Sequence, residues 1–153
     1  MGFFDKMKAA ASAVTGGAAQ VQVRVNGAPS RAGGLSVTID AHAKGECKVD
    51  KVYLKVRCRE EADVQDRDLE DDGSVSRETI RARKTVSDET HVVSGPCELE
   101  AGATASWEAQ VAFPSGALPS VHGQLVRVVW EMQAGLDMWG NDPDSGWIRI
   151  QVD

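Results

Sequence analysis

The feature that most constrains the fold of this chain is a one-by-one alternation of apolar and polar residues in long runs. From Val126 to Leu136 every second residue is apolar, and the residues between them include Arg127, Glu131 and Gln133. A period of two places the apolar side chains on one face of an extended strand and the polar ones on the other. The same alternation occurs in five other segments: Val21–Val25, Leu35–Ala41, Val52–Cys58, Trp107–Phe113 and Ile148–Val152.

These runs predict an all-β fold of about eight strands. Six of the eight are the alternating runs, and the other two are short strands between Ile80 and Val93, where the pattern is weaker but the threonine and valine content favours extended structure. Strands with one polar face are typical of antiparallel sheets, because parallel sheets are buried on both faces. Such sheets must cover each other's apolar faces, so we expect a two-sheet antiparallel sandwich. A chain of 153 residues has room for one such domain, over residues 18–153.

The N-terminal segment, residues 1–17, has a helical period instead. Its apolar residues fall on one stripe at spacings of three and four, and Gly16 and Gly17 then end the helix. Three surfaces are open to this amphipathic helix: its own sandwich, a partner or second copy, or a membrane surface. The membrane is the least supported of the three, because the polar face has only three charged residues. The anchors assigned to docking are Phe3, Phe4 and Met7.

The compartment expected from the sequence is the cytoplasm. The first residues lack the apolar run of about 7 to 15 residues that a secretory signal contains. No window approaches the roughly 20 apolar residues that a membrane-spanning helix needs. Three cysteines without CxxC spacing argue against a disulfide framework, and Cys58 is interpreted as a buried core thiol because it is in register with Leu54 and Val56.

A loop with two prolines, FPSGALPSVHG, precedes the long strand that contains Trp130. Pro114 removes a ladder donor and Pro119 holds the residue before it extended, so we expect a stiff connection between the sheets. The order of aromatic strand, proline, Leu-Pro-Ser corner, glycine and long strand resembles the arrestin-like pattern. The residues that carry the resemblance are Trp107, Pro114, Leu118, Pro119, Ser120, Gly123, Trp130 and Ala134.

Two further passages are similar to the bacterial sporulation-control branch of the arrestin-like family, namely the opening MGFFDKM and the closing GLDMWGNDPDSGWIRIQV. The resemblance implies an arrestin-like sandwich, here a single lobe, and a noncatalytic role as an interaction or scaffold module. Proteins of that branch usually have two lobes in one chain. We therefore expect this lobe to assemble with itself or with a protein partner that supplies what the second lobe supplies elsewhere.

The net charge of −6 is concentrated in one segment. Residues 59–72 contain eight acids and two arginines, net 2 − 8 = −6, so the rest of the chain is neutral overall. A nucleic-acid partner is therefore not expected. Residues 60–72 are interpreted as a mobile, solvated acidic loop, with a docking surface for a basic partner as one alternative. The acids assigned to partner binding are Asp66, Asp68, Glu70, Asp71 and Asp72.

A calcium or small-ligand sensing domain that uses the same acidic loop is the second alternative. Asp68, Glu70 and Asp72 have the spacing of the first ligands of an EF-hand-like loop, but the twelfth position is Thr79, where a bidentate Glu is required. No metal or other cofactor is therefore assigned.

The remaining candidate residues indicate no catalysis. The three histidines, His42, His91 and His122, have no metal-ligand spacing and are interpreted as surface residues. Trp139 and Trp147 flank the turn at residues 142–146 and either pack across it or anchor a partner. Because no nucleophile, metal or cofactor motif occurs, we expect an interaction module and not an enzyme.

Overall fold

The computed structural model describes residues 15–140 and 142–153. The anchors of the predicted helix, Phe3, Phe4 and Met7, lie outside the described residues, so their docking remains a prediction.

The described residues form ten strands, all paired in antiparallel fashion. Three strands of two or three residues were not expected, and the two strands expected between residues 80 and 93 are one, so the number is ten and not eight. Residues 15 and 16, assigned from the sequence to the helical segment, are instead a strand. The strands are β1 (Thr15–Gly16), β2 (Ala19–Val25), β3 (Leu35–Ala43), β4 (Cys47–Leu69), β5 (Val75–Ser94), β6 (Cys97–Leu99), β7 (Thr104–Val111), β8 (Val121–His122), β9 (Val126–Met138) and β10 (Ile148–Ile150).

Two sheets face each other, which confirms the predicted all-β antiparallel sandwich. The small sheet has the order β1-β2-β3-β7, and the large sheet has the order β10-β9-β4-β5, with β6 added to β4 and β8 added to β9. Strand β2 lies against β9, and β7 lies against β5. The alternating residues of β2, β3, β4 and β9 supply the core between the sheets, as their period of two requires.

The core is built mainly from aliphatic side chains around one tryptophan. Trp130 is 1% exposed, and Leu35, Ile39, Leu54 and Met132 are fully buried beside it in the same cluster.

Cys58 is buried in this core as predicted. Burial raises the pKa of its thiol, and the nearby Glu60 carboxylate raises it further by a smaller amount. Both effects disfavour the thiolate, so this cysteine behaves as a small apolar core residue.

The proline loop joins β7 of the small sheet to β8 and β9 of the large sheet, so the predicted connection between sheets is confirmed. Its backbone is tied to the core at two places. The indole Nε1 of Trp130 donates to the carbonyl of Leu118 at 2.8 Å, and the Phe113 and Trp130 rings meet edge to face at 4.8 Å. Farther along, Ser120 and Val152 exchange two hydrogen bonds of 2.8 and 2.9 Å. The loop is thereby stiffened by contacts as well as by proline.

The interpretation of residues 60–72 as a loop is wrong. Strand β4 continues to Leu69 and pairs with β5 along its whole C-terminal half, so only a short turn at residues 70–74 separates the two strands. The segment is ordered by the backbone ladder and by cross-strand charge pairs, since Glu60, Glu61 and Asp63 lie opposite Lys84, Arg83 and Arg81, respectively. The backbone hydrogen bonds and charge pairs offset the conformational entropy that this segment loses on ordering, without burial of apolar side chains.

The two short strands expected between residues 80 and 93 are one strand, β5, of 20 residues. Its register against β4 shifts at two places, next to Cys58 and next to Val52. A β-bulge interrupts the alternation of side chains between the two faces of a strand, which explains why apolar and polar residues do not alternate clearly along this segment.

Gly135 in β9 is expected to be required for packing. An alanine Cβ at this position would overlap the phenol ring of Tyr53, which is 7% exposed. We expect Gly135→Ala to lower the free energy of unfolding by about 1–3 kcal/mol, the usual cost of overpacking. Urea denaturation measures the change. The control is Gly45→Ala, where a Cβ meets nothing within 4 Å; equal losses in the two variants would contradict the packing argument.

Candidate interaction surface

The hairpin of β4 and β5 extends beyond the sandwich. The last rung between β4 and β9 joins Ala62 to Val126. Beyond it, in the part of the chain described here, residues 64–69 and 75–80 pair only with each other and form what we call the arm. Six residues at about 3.4 Å each give an arm about 20 Å long. The turn at its tip is closed by a hydrogen bond of 2.9 Å from Glu70 to Ser74 and uses a left-handed Gly73 with φ of +82°.

The two faces of the arm have opposite charge. Register places Asp66, Asp68 and Glu78 on the face that continues the core side of the large sheet, which we call the acidic face. Arg67 and Arg77 lie on the opposite, arginine face. Each face has a like-charged pair directly across the ladder, Asp66 with Glu78 and Arg67 with Arg77. Directly opposed like charges destabilise a sheet, so neither face is electrostatically satisfied within the monomer.

A row of ion pairs crosses the outer face of the large sheet next to the arm. We call it the polar ladder; its members are Arg57, Arg59, Glu61, Asp63, Arg127 and Glu131. Glu131 accepts hydrogen bonds from Arg57 at 2.8 Å and from Arg59 at 3.0 Å. Arg59 also lies 3.3 Å from Glu61, and Arg127 bridges Glu61 at 3.5 Å to Asp63. Acids and bases alternate along the row, so each carboxylate has at least two cationic neighbours.

Two carboxylates of this ladder are buried although they lie on the outer face. Glu61 is 4% and Glu131 is 6% exposed, because the stems of the arginines cover them. Arg57 in turn stacks on Trp147, with its guanidinium carbon 3.6 Å from the ring centre. At the arm end of the ladder, the hydrogen bond from Arg127 lowers the pKa of Asp63, which keeps that carboxylate charged.

Arginine is concentrated on this one face. Of the ten arginines in the chain, eight project from the outer face of the large sheet and its arm. Because they come from β4, β5, β9 and β10, the sequence shows no basic run that would reveal them. Ion pairs are formed by five of them, and three on the arm side have none among the described residues. Those three are Arg67, Arg77 and Arg83.

The structure separates the other residues assigned from the sequence. Trp139 is 97% exposed just after β9, at the end of the large sheet away from the arm. Trp147 is partly buried under Arg57, so its ring is already covered on one side. The three acids of the turn, Glu70, Asp71 and Asp72, are exposed at the arm tip. The arm and the turn at its tip therefore hold all five acids assigned to partner binding, and the tryptophans lie elsewhere.

A calcium loop from residue 68 to 79 is not formed, which corrects the calcium form of the sensing alternative. Residues 75–79 pair with β4 as part of the arm, so they cannot wrap around an ion. Asp72 instead accepts hydrogen bonds from Ser74, which lower its pKa. Within residues 15–140 and 142–153, no three His, Cys, Asp or Glu side chains converge as a metal site.

A depression of about 380 Å³ on the outer face of the small sheet is lined mainly by polar residues of β2, β3 and β7. The carboxylate of Asp40 there is held by Arg24 at 2.8 Å and by Ser106 at 2.8 Å. His42 beside it, in β3, is exposed, as is His122 in β8, and His91 is partly exposed. The predicted surface positions of the histidines are confirmed.

Among solved structures, the sandwich is similar to the sporulation control protein Spo0M from Bacillus subtilis. The TM-score is 0.59 and the sequences are 18% identical, over 90% of this chain and 50% of that chain. The fold is arrestin-like. This arrestin-like sandwich spans half the length of the structure it matches, and identity at this level establishes the fold alone. No protein-family model and no curated protein sequence matches the chain.

In the described part of the arrestin-like chain, no helix is long and apolar enough to cross a membrane.

Proposed function

We propose that this arrestin-like lobe is a noncatalytic interaction module of the cytoplasm that assembles with itself or with a protein partner through the β4–β5 arm. The observation that carries the proposal is the arm itself, a two-stranded ribbon that stands clear of the sandwich. Isolated two-stranded hairpins are marginally stable in water. A partner surface would supply the packing layer that such a ribbon lacks.

Exposed apolar residues on both faces of the arm support this proposal. Val64 and Ile80 are 46% and 50% exposed on the acidic face, and Leu69 and Val75 are 76% and 55% exposed on the arginine face. Exposed aliphatic side chains that are grouped together are typical of a surface that is covered on assembly. They add nothing to the core of the monomer.

The biological process is proposed from the likeness to Spo0M, which is described as a sporulation control protein. We propose that this chain acts in the same kind of process as an adaptor, and the support for this step is the shared arrestin-like fold.

A short-arm variant tests the module directly. Residues 65–79 are replaced by Asn-Gly, which makes a two-residue hairpin turn between Val64 and Ile80. The core stays intact, because the removed residues are exposed. We expect the variant to fold but to lose concentration-dependent association and partner capture, measured by sedimentation and by pull-down from the native cell.

The matched control is Trp139→Ala, which removes the exposed anchor at the far end of the large sheet. We expect it to associate like the wild type. Retention of association by the short-arm variant, or its loss only in the Trp139 variant, would show that the arm is not the interaction element.

A further inference from the structure

We propose that the arm binds a second copy of this chain, with the acidic face of one arm stacked on the arginine face of the next. This inference rests on the proposed function and specifies the partner. Its starting point is that each arm carries an unsatisfied acidic pair on one face and an unsatisfied arginine pair on the other. A partner that pairs with both faces must present arginines to the acidic face and acids to the arginine face. The arm of another copy carries both kinds of face.

The spacing of residues fixes the direction of the second arm. Sheets stack about 10 Å apart, a distance that arginine and carboxylate side chains can bridge together. When the two arms run in opposite directions with Asp66 over Arg67, three consecutive rungs match in chemical character. In order along the arm, the facing sets are Val64 and Ile80 on Leu69 and Val75, Asp66 and Glu78 on Arg67 and Arg77, and Asp68 and Ser76 on Gln65 and Thr79.

The parallel arrangement matches less well. With both arms in the same direction, acids again face arginines, but Val64 and Ile80 then lie on Gln65 and Thr79. Apolar side chains would be buried against amide and hydroxyl groups without partners, which costs free energy. The antiparallel stack avoids this mismatch, so we assign that direction.

The acidic turn extends the same contact. In the antiparallel stack, the tip of one arm continues past the base of the other arm and reaches the outer face of the second large sheet. The residues on that face at the base of the arm include Arg81 and Arg83, and Arg83 forms no ion pair among the described residues. The turn brings three acids, Glu70, Asp71 and Asp72, to this position. Glu61 and Asp63 lie on the same face opposite these two arginines but are also paired with Arg127, so Arg83 is the guanidinium left for the acids of the turn.

Stacking of this kind is head-to-tail, so one contact leaves an acidic face and an arginine face unused on the outside of the pair. Heterologous contacts join further copies into a ring or an open filament, and a closed pair is not formed. The wild-type chain is therefore expected to form species larger than two copies as concentration rises. The contact is electrostatic and exposed at its edges, so added salt should weaken it.

Sedimentation velocity of the full chain and two neutral double variants tests the contact. Asp66→Asn/Glu78→Gln removes the acidic pair, and Arg67→Gln/Arg77→Gln removes the arginine pair. Each change also removes a like-charge repulsion, so the arm itself is not destabilised. We expect each variant alone to associate at least about tenfold more weakly than the wild type. Mixed in equal amounts, the two variants retain one complementary junction and should form a pair of one copy of each, with nothing larger.

Lys48→Gln/Glu98→Gln is the control, because this opposed and exposed pair joins β4 to β6 at the other end of the large sheet. It should associate like the wild type. If the wild type associates and the neutral variants associate equally, the proposed stacking of arms is overturned, and the proposal that the lobe is an interaction module is unaffected. If the wild type stays a monomer at low salt, the proposal that the arm binds a second copy is overturned. The proposed interaction module is then tested separately, since it predicts that the wild type captures a partner and the short-arm variant does not.

Discussion

Replacement of Trp130 by alanine is expected to lower the free energy of unfolding by about 3–5 kcal/mol, the usual cost of removing a large buried aromatic residue. For a chain of this size, that loss corresponds to a fall in melting temperature of about 6–20 °C. Trp130 is 1% exposed, contacts Phe113 edge to face and donates its indole N–H to the carbonyl of Leu118. Its removal leaves a cavity and an unpaired carbonyl at the point where the proline loop is fastened.

Two further variants separate the cavity from the hydrogen bond. Trp130→Phe keeps an aromatic ring but loses the indole donor, and we expect it to cost about 1–2 kcal/mol, less than alanine does. Trp139→Ala removes a side chain that is 97% exposed, so its effect should stay within about 0.5 kcal/mol. Thermal and urea unfolding measure all three variants. Equal losses for Trp130→Ala and Trp139→Ala would contradict the assignment of Trp130 to the core.

Strands with one apolar face could be predicted from the sequence because burial and local pattern agree there. In β3, for example, Leu35, Val37 and Ile39 are fully buried, whereas Ser36 and Thr38 between them lie nearer the surface. The proline loop could be predicted for a similar reason, since Pro114 and Pro119 restrict the backbone whatever surrounds them. In both places, local chemistry alone decides the conformation.

The arm could not be predicted in this way, because both of its faces are polar and the period of two is therefore invisible in hydrophobicity. One sequence signal was nevertheless present. Farther from the turn at Gly73, acids before it are mirrored by bases after it, as in Glu61 with Arg83 and Asp63 with Arg81. Complementary charges placed symmetrically about an Asp-Gly turn are typical of a hairpin. The same residues therefore fit a hairpin as well as they fit an acidic loop.

The polar ladder depends on register between strands that are distant in the sequence. Arg57 and Glu131 are 74 residues apart, and their contact follows from the pairing of β4 with β9. Arg59 and Arg149 also lie beside Glu131 and help to cover it. No spacing rule connects these residues, so the site had to be found in the structure.

Replacement of Glu131 by glutamine is expected to lower the free energy of unfolding by about 2 kcal/mol. Removal of one partner from a fully buried ion pair costs about 3–5 kcal/mol, because the other charge is left uncompensated. Here the side chains of Arg57 and Arg59 are 24% and 22% exposed, so water partly solvates the guanidinium groups that Glu131 releases. The loss should therefore be smaller than for a fully buried pair. Glutamine keeps the shape of the side chain, so the change reports charge more than packing.

The control for Glu131 is an ion pair of the same length at the surface. Arg24 and Asp40 are 2.8 Å apart, like Arg57 and Glu131, but their side chains are 54% and 37% exposed. We expect Asp40→Asn to cost no more than about 1 kcal/mol, as exposed pairs do. Urea unfolding of both single variants, and of Glu131→Gln combined with Arg57→Met, completes the comparison. Because the combined variant no longer leaves the Arg57 charge uncompensated, it should recover part of the loss. A loss for Asp40→Asn as large as that for Glu131→Gln would show that the carboxylate under the arginines is no more important to the fold than an ordinary surface charge.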